Sequence, residues 1–553
     1  MLKKVFLPIL FVFIFSFSAY ANTTINVSGV VKNAHGEPVC GACVKLLHDD
    51  KQIAEAYSGD NGAYNLTASL DEKPDNLYIQ FYKSNYKKVT KNISVYSYDT
   101  RKQMYLFHAS PILDRTITPA FYISLFALIM VFVLISLELV HRTLAASLGA
   151  ALVLFISYTL GTFNESYFII SFEEAAKSID LNVILLLMGM MIIVGVMKKT
   201  GVFQWLAYKS FSISKGNVFL LSVIFMFITA ILSAFLDNVT TMLLIAPISI
   251  EIALVLGISP FSLLIPTVLA SNMGGTSTLI GDPPNILIGS YTHLTFNDFL
   301  INLFPVILII LVVNVFLMKL YYGKEYKKAK IKNIDELLTK LKKEYKITDR
   351  KLLKYCLFVL IFVVFMFIVH GFLNMEPCIA ALTGAAVLLV ISGVDIVGVI
   401  EKEVEWPTLV FFIMLFIVVG AVISTGVIQL IGSWIGNLAG GNLIVAIILI
   451  IWVSAIASAV VDNIPFTATM LPVVAYLTST IPSSRPDILW WALSLGACLG
   501  GNGTLIGASA NIVTAGFAER SGFPLRFVDF LKVGGPVTVV SLIIATLWLI
   551  IGG

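Results

Sequence analysis

The sequence predicts an all-α polytopic membrane protein of two inverted repeats, preceded by a small all-β sandwich. Three observations carry that prediction: an extreme composition, apolar runs of spanning length, and an internal repeat at nearly constant offset. Of 553 residues, 58% are hydrophobic and 13% charged, against roughly 25% charged in an average soluble protein. A chain this apolar has too little polar surface to stay dissolved alone. The net charge of +4 is too small and diffuse for a nucleic-acid surface. No Walker motif, catalytic triad or metal-ligand cluster is legible, so neither an enzyme nor an ATP-driven pump is expected.

Lys3 and Lys4 precede the apolar run Val5–Phe17 and the small-x-small sequence Ala19-Tyr20-Ala21, which reads as a signal peptide over 1–21, the alternative being an uncleaved signal anchor. Residues 22–112 alternate in short runs broken by turn clusters such as His35-Gly36-Glu37-Pro38 and Gly59-Asp60-Asn61-Gly62. This predicts a β-sandwich outside the membrane. Cys40 and Cys43 form a CxxC with no second pair, read as a local disulfide or two free thiols.

Apolar runs follow at about 119–139, 143–162, 180–198, 217–236, 240–257, 261–290 and 300–320, then 351–373, 378–398, 407–425, 442–461, 466–480, 487–517 and 533–551. The length needed to cross a hydrocarbon core is about 20 residues. The lysine-rich connector 321–350 separates repeat 1 (119–320) from repeat 2 (351–553) and should be cytoplasmic. That side is reached only if 217–257 is a re-entrant hairpin, with 442–480 its mirror. The chain is then a multi-pass plasma (inner) membrane protein with its N-terminal domain outside or periplasmic. Glu173, Glu174 and Lys177 read as a solvated outer loop.

The repeat is explicit. Thr200-Gly201-Val202-Phe203-Gln204 returns as Thr425-Gly426-Val427-Ile428-Gln429, and 425 − 200 = 225. Asp237-Asn238 returns as Asp462-Asn463 at the same offset, and Asn285 as Asn511 at 226. Gly274-Gly275-Thr276-Ser277-Thr278 returns as Gly500-Gly501-Asn502-Gly503-Thr504. Inverted repeats whose apolar segments break at matching places mark a transporter's binding site.

Asp237 and Asp462 lead the candidate ion ligands, because a carboxylate at membrane depth faces a cavity and has a partner. Each also sits where it can cap the helix that follows. Asn238 and Asn463 supply amides that both donate and accept, and Na⁺ is a candidate ligand there. Thr241, Thr276, Thr278, Thr467, Asn502 and Thr504 add neutral oxygens, and the chain at Gly275 and Gly501 adds loop carbonyls. Asn285 and Asn511 complete the set. Asp282 has no acidic twin, since Ala508 stands opposite. It reads equally as an asymmetric ion ligand or an N-cap. Asp298 and Asp529 read as helix caps.

The stretches Ser233–Met242, Gly281-Asp282-Pro283-Pro284-Asn285, Asp462–Thr469 and Gly500–Asn511 resemble the P protein (pink-eyed dilution) branch of the ion-transporter superfamily, which also holds arsenite permeases, NhaD-type Na⁺/H⁺ antiporters and citrate carriers. The pattern from Gly29 to Tyr64 resembles carboxypeptidase-regulatory-like domains. The first resemblance covers nearly all of 119–553 and implies a homodimer with a scaffold and an elevator-like transport domain. Related Na⁺-dicarboxylate carriers have Ser-Asn-Thr at the tips where this chain has Asp237-Asn238-Val239 and Asp462-Asn463-Ile464. The added carboxylates point to proton or cation handling. The expected function is thus a secondary transporter of a small inorganic or organic ion in lipid, coupled to Na⁺ or H⁺ and without a cofactor. The alternatives are a citrate, dicarboxylate or arsenite-type permease and, from another class, a channel or ligand-sensing receptor.

Overall fold

The computed structural model describes residues 23–552, apart from 34–35, 37, 50, 71–76, 94–96, 103, 330–337 and 340–341. The signal-peptide reading of 1–21 lies outside the described residues, as do His35, Glu37 and Lys340. Two compact units emerge: residues up to 120 together with 160–168, and 121–159 together with 169–553.

The first unit is the predicted sandwich. Its strands are β1 (Thr23–Val30), β2 (Lys32–Asn33), β3 (Cys43–His48), β4 (Lys51–Tyr57), β5 (Ala63–Leu70), β6 (Leu77–Tyr82), β7 (Val89–Asn92), β8 (Ser97–Asp99), β9 (Met104–His108) and β10 (Ile112–Leu113). They form sheets ordered β5-β1-β9-β8 and β4-β3-β6-β7, with β10 paired to β2. Every second residue of β5 and β6 is buried, as a half-buried strand requires. Ile25, Val27, Leu46, Leu66, Ile79 and Phe81 from both larger sheets meet in one core. The CxxC is not a disulfide. The Cys40 thiol donates to Asp60 at 3.2 Å and Cys43 to Glu55 at 3.1 Å. Burial, then the Glu55 carboxylate, pushes the Cys43 thiol up to about 11, leaving little thiolate to react at neutral pH.

The second unit carries the repeats. The first runs α1 (Pro119–Ser136), α2 (Arg142–Tyr158), α3 (Leu160–Phe163, which belongs to the first unit), α4 (Phe172–Lys177), α5 (Leu181–Lys198), α6 (Val202–Ser214), α7 (Val218–Phe235), α8 (Asn238–Val255), α9 (Phe261–Thr276), α10 (Pro283–Thr292) and α11 (Phe296–Tyr326). The second runs α12 (Arg350–Val369), α13 (Pro377–Ser392), α14 (Ile396–Lys402), α15 (Trp406–Thr425), α16 (Val427–Ala439), α17 (Leu443–Val460), α18 (Asn463–Thr480), α19 (Ile488–Gly500), α20 (Ser509–Arg520) and α21 (Phe527–Ile551). Among the described residues, 10 helices are long and apolar enough to cross a membrane.

Matched chemistry ends matched elements. Asn217 caps α7 by accepting from Leu220 N at 3.0 Å, and Asn442 caps α17 by accepting from Ile444 N at 2.9 Å. Gly201 and Gly426 start α6 and α16 at φ of 75° and 90°, a left-handed conformation that side chains disfavour. The pairing is exchanged between repeats: α5 packs along α13, and α2 along α15. Within each repeat α7 lies on α9 and α17 on α19, while α8 packs against α20 and α10 against α18.

Two local readings change. Glu173, Glu174 and Lys177 belong to α4, where Ser171 and Glu174 form a capping box and Lys177 pairs with Glu173 at 3.0 Å. The start of the basic connector, to Tyr326, is the last turn of α11. Asp298 caps α11 with Thr295, as expected. Asp529 lies in the first turn of α21, 3.7 Å from Lys532.

Candidate functional site

Each helical hairpin turns at an Asp-Asn pair, and the chain opposite each hairpin unwinds. Residues 277–282 separate α9 from α10, and 501–508 separate α19 from α20. These unwound stretches are held by the two matched asparagines. Asn285 Nδ2 donates to the carbonyls of Thr276 (2.9 Å) and Thr278 (2.8 Å). Asn511 Nδ2 donates to those of Gly501 (2.8 Å) and Thr504 (2.9 Å). Thr278 and Thr504 donate their hydroxyls to Ala234 O and Ala459 O, binding the loops to the ends of α7 and α17. A Cβ on Gly275 would stand 2.5 Å from Gly281 O, and one on Gly501 3.0 Å from Gly507 O, so both glycines let the loop fold back. Thr276 and Thr467 donate to the carbonyls of Asn272 and Asn463, each at 2.7 Å. Thr241 Oγ1 is buried with no hydrogen-bond partner.

Both hairpin tips converge on Asp282. Asn238 Nδ2 lies 3.2 Å and Asn463 Nδ2 3.3 Å from the same oxygen, Asp282 Oδ1. Asp282 stands at the N-cap of α10 yet makes no side-chain cap bond. The two proline residues that follow, Pro283 and Pro284, have no N–H to offer it. Its other oxygen, Oδ2, is buried without a hydrogen-bond partner. Asn272 joins the tips to the unwound loops: it accepts from Asn238 (3.2 Å) and donates to Asn502 (2.9 Å) and Asn511 (3.0 Å).

The two tip carboxylates are not equivalent. Asp237 caps α8 by accepting from Thr240 N at 2.9 Å, and its second oxygen takes the Thr240 hydroxyl. In the second repeat Pro465 replaces that threonine, so Asp462 accepts instead from Ile464 N at 3.2 Å. Asp462 Oδ2 is left to accept from Ser509 Oγ at 2.8 Å and to pair with Arg142 at 3.5 Å. Arg142 also donates to Ser509 Oγ and, at 2.9 Å, to Thr408 Oγ1, and its guanidinium lies over the Phe411 ring.

Asp237, Asn238, Asp282, Asn463, Arg142 and Glu405 line a cavity of about 20 Å³, enough for roughly one water. A wider vestibule of about 610 Å³ shares Arg142, Val239, Glu405, Thr408 and Ser509 with it. Among the described residues no group of three or more His, Cys, Asp or Glu side chains could hold a metal ion. The structure thus brings together Asp237, Asn238, Asp282, Asp462, Asn463, Asn502 and Asn511. It uses Asn285, Thr278, Thr504, Gly275 and Gly501 to shape the loops around them. Arg142, Asn272 and Ser509 join the site with no signal from the repeat: Cys498 and Pro283 stand 226 residues from Asn272 and Ser509, and Phe367 stands 225 from Arg142.

Paired broken hairpins around a buried polar centre, in a chain of many spans, define a multi-pass membrane transporter. The citrate transporter family matches residues 132–496, and the chain belongs to that family. It is 41% identical over 421 residues to an uncharacterized transporter of Mycobacterium bovis, covering 76% of this chain and 95% of that protein. A 46 kDa membrane protein of Mycobacterium leprae is 40% identical, with 77% and 97% covered. The human P protein is 36% identical over 76% of this chain and 58% of its own length. The structure of the YdaH transporter of Alcanivorax borkumensis superposes with a TM-score of 0.52 at 13% identity, covering 74% of this chain and 98% of that one. This last likeness is one of fold.

Proposed function

We propose that this chain is a secondary active transporter, coupled to Na⁺ or H⁺, that moves a small ion by elevator-type alternating access. The observation that carries the reading is the convergence of both tip amides on one buried carboxylate whose second oxygen has no partner. A buried carboxylate in that state calls for a proton or a cation. With their donors spent on Asp282, Asn238 and Asn463 keep carbonyl oxygens for such an ion. Exchanged packing between the repeats supports division into a scaffold and a moving part. In this reading the chain works as a homodimer in the plasma (inner) membrane with its β domain outside.

A second reading has support of its own. The family is described by citrate transport, and the vestibule, unlike the 20 Å³ cavity, has volume for an organic anion beside Arg142.

Proteoliposomes under imposed Na⁺ or pH gradients test both. Lumenal pH should respond in wild type, and Asp282→Asn should lower that response at least tenfold. Undiminished flux in Asp282→Asn removes the carboxylate from the mechanism. Labelled citrate uptake with no pH or Na⁺ dependence favours the second reading.

A further inference from the structure

The Arg142 guanidinium sits among oxygens from separate parts of the fold. Thr408 comes from the first turn of α15, Asp462 from the second hairpin tip, and Ser509 from the start of α20. Glu405 accepts from Thr408 Oγ1 at 3.1 Å, placing another carboxylate beside the group. Two carboxylates and two hydroxyls form an all-oxygen set suited to a hard cation, and an arginine side chain fills it. Arg142 is partly exposed, at 20%, and it borders the vestibule, so its side chain has room to leave. Its placement also links α2, packed along α15, to Asp462 and Ser509 on hairpin and unwound-helix elements.

We propose that Asp462, Ser509, Thr408 and Glu405 form a second cation site, and that Arg142 is its resident counter-ion. With the site unloaded, the guanidinium supplies the positive charge that Asp462 requires at this depth. A hard monovalent cation such as Na⁺ takes over those oxygens and displaces the arginine into the vestibule. One link between the α2–α15 pair and the second hairpin is thereby cut. The inference rests on the cation-coupled reading above but uses oxygens other than those of Asp282, which lines the same small cavity.

The test is Na⁺-dependent thermal stabilisation of the purified full-length protein in detergent at fixed pH, with choline chloride as the ionic control. Arg142→Gln should lower the half-effect Na⁺ concentration at least tenfold. Arg142→Lys keeps the charge but lacks the planar fork that sets one nitrogen on each hydroxyl, and should fall between. The gain should vanish in Arg142→Gln/Asp462→Asn and persist in Arg142→Gln/Asp282→Asn. A midpoint unchanged in both Arg142→Gln and Arg142→Lys overturns the proposal, as does a gain that survives Asp462→Asn. If Arg142→Gln does not fold, an unchanged midpoint in Arg142→Lys overturns it alone. Because Asp282 is varied separately, loss of its role leaves this result standing, and the reverse also holds.

Discussion

Asn285 and Asn511, buried in the first turns of α10 and α20, do the same work in the two halves. Each amide spends both N–H groups on carbonyls that an unwound chain would leave bare. A buried carbonyl without a donor costs about 1–3 kcal/mol. Asn511→Ala strips donors from Gly501 and Thr504 and removes one of the two acceptors of Asn272. Its melting temperature in detergent should therefore fall by several degrees, and Asn511→Asp should not restore it, because a carboxylate has no N–H to give. The asparagines were legible as a repeated pair, but their role was not: the sequence places them near an ion, whereas the folded loops use them as braces. Asp282 was visible as an unpaired acid; Pro283 and Pro284 offer it no N–H, and the Asn285 N–H bonds its main-chain carbonyl at 2.9 Å, not its carboxylate. Arg142 carries no such signal in the sequence. Beside His141 at a helix end it looks like one more inner-side charge, and its partners lie hundreds of residues away in sequence.

At the scale of elements, each hairpin holds its unwound helix by backbone proximity. A Cβ on Gly274 would fall 2.2 Å from Ala230 O, and one on Gly500 2.6 Å from Ala455 O. Small residues permit this approach of apolar helices. Gly274→Ala or Gly500→Ala must force α7 from α9, or α17 from α19, at a cost of about 1–3 kcal/mol. Both variants should melt earlier, and an unchanged melting temperature in either would show that the helices separate freely. The hairpins themselves were readable from Asp-Asn interruptions in apolar runs. Their inequivalence was readable only as a substitution, Thr240 against Pro465. Its effect needed the structure: the proline withholds an N–H, moves the cap one residue back, and turns Asp462 toward Ser509 and Arg142.

For the whole molecule, the sequence distinguished a β unit from a helical unit because period-2 alternation gives way to uninterrupted apolar runs. The short helix and turn at 160–168 were beyond such reading, since they join the β unit through Tyr82 to Glu165 and Asn85 to Phe168. Equivalent offsets revealed two halves, yet offsets say nothing about which helix of one half lies on which helix of the other. The exchange of α2 and α5 between α15 and α13 has a consequence for biogenesis. When a ribosome has delivered the first half, α5 and α2 still lack the surfaces they finally cover, so the nascent protein must wait in the bilayer half-clasped. A chain severed within 330–341 should accumulate when both fragments are co-expressed and be degraded when either is made alone, as immunoblots of membranes would record. Contacts between the halves are then completed only once α18 and α20 have followed α15 out of the ribosome.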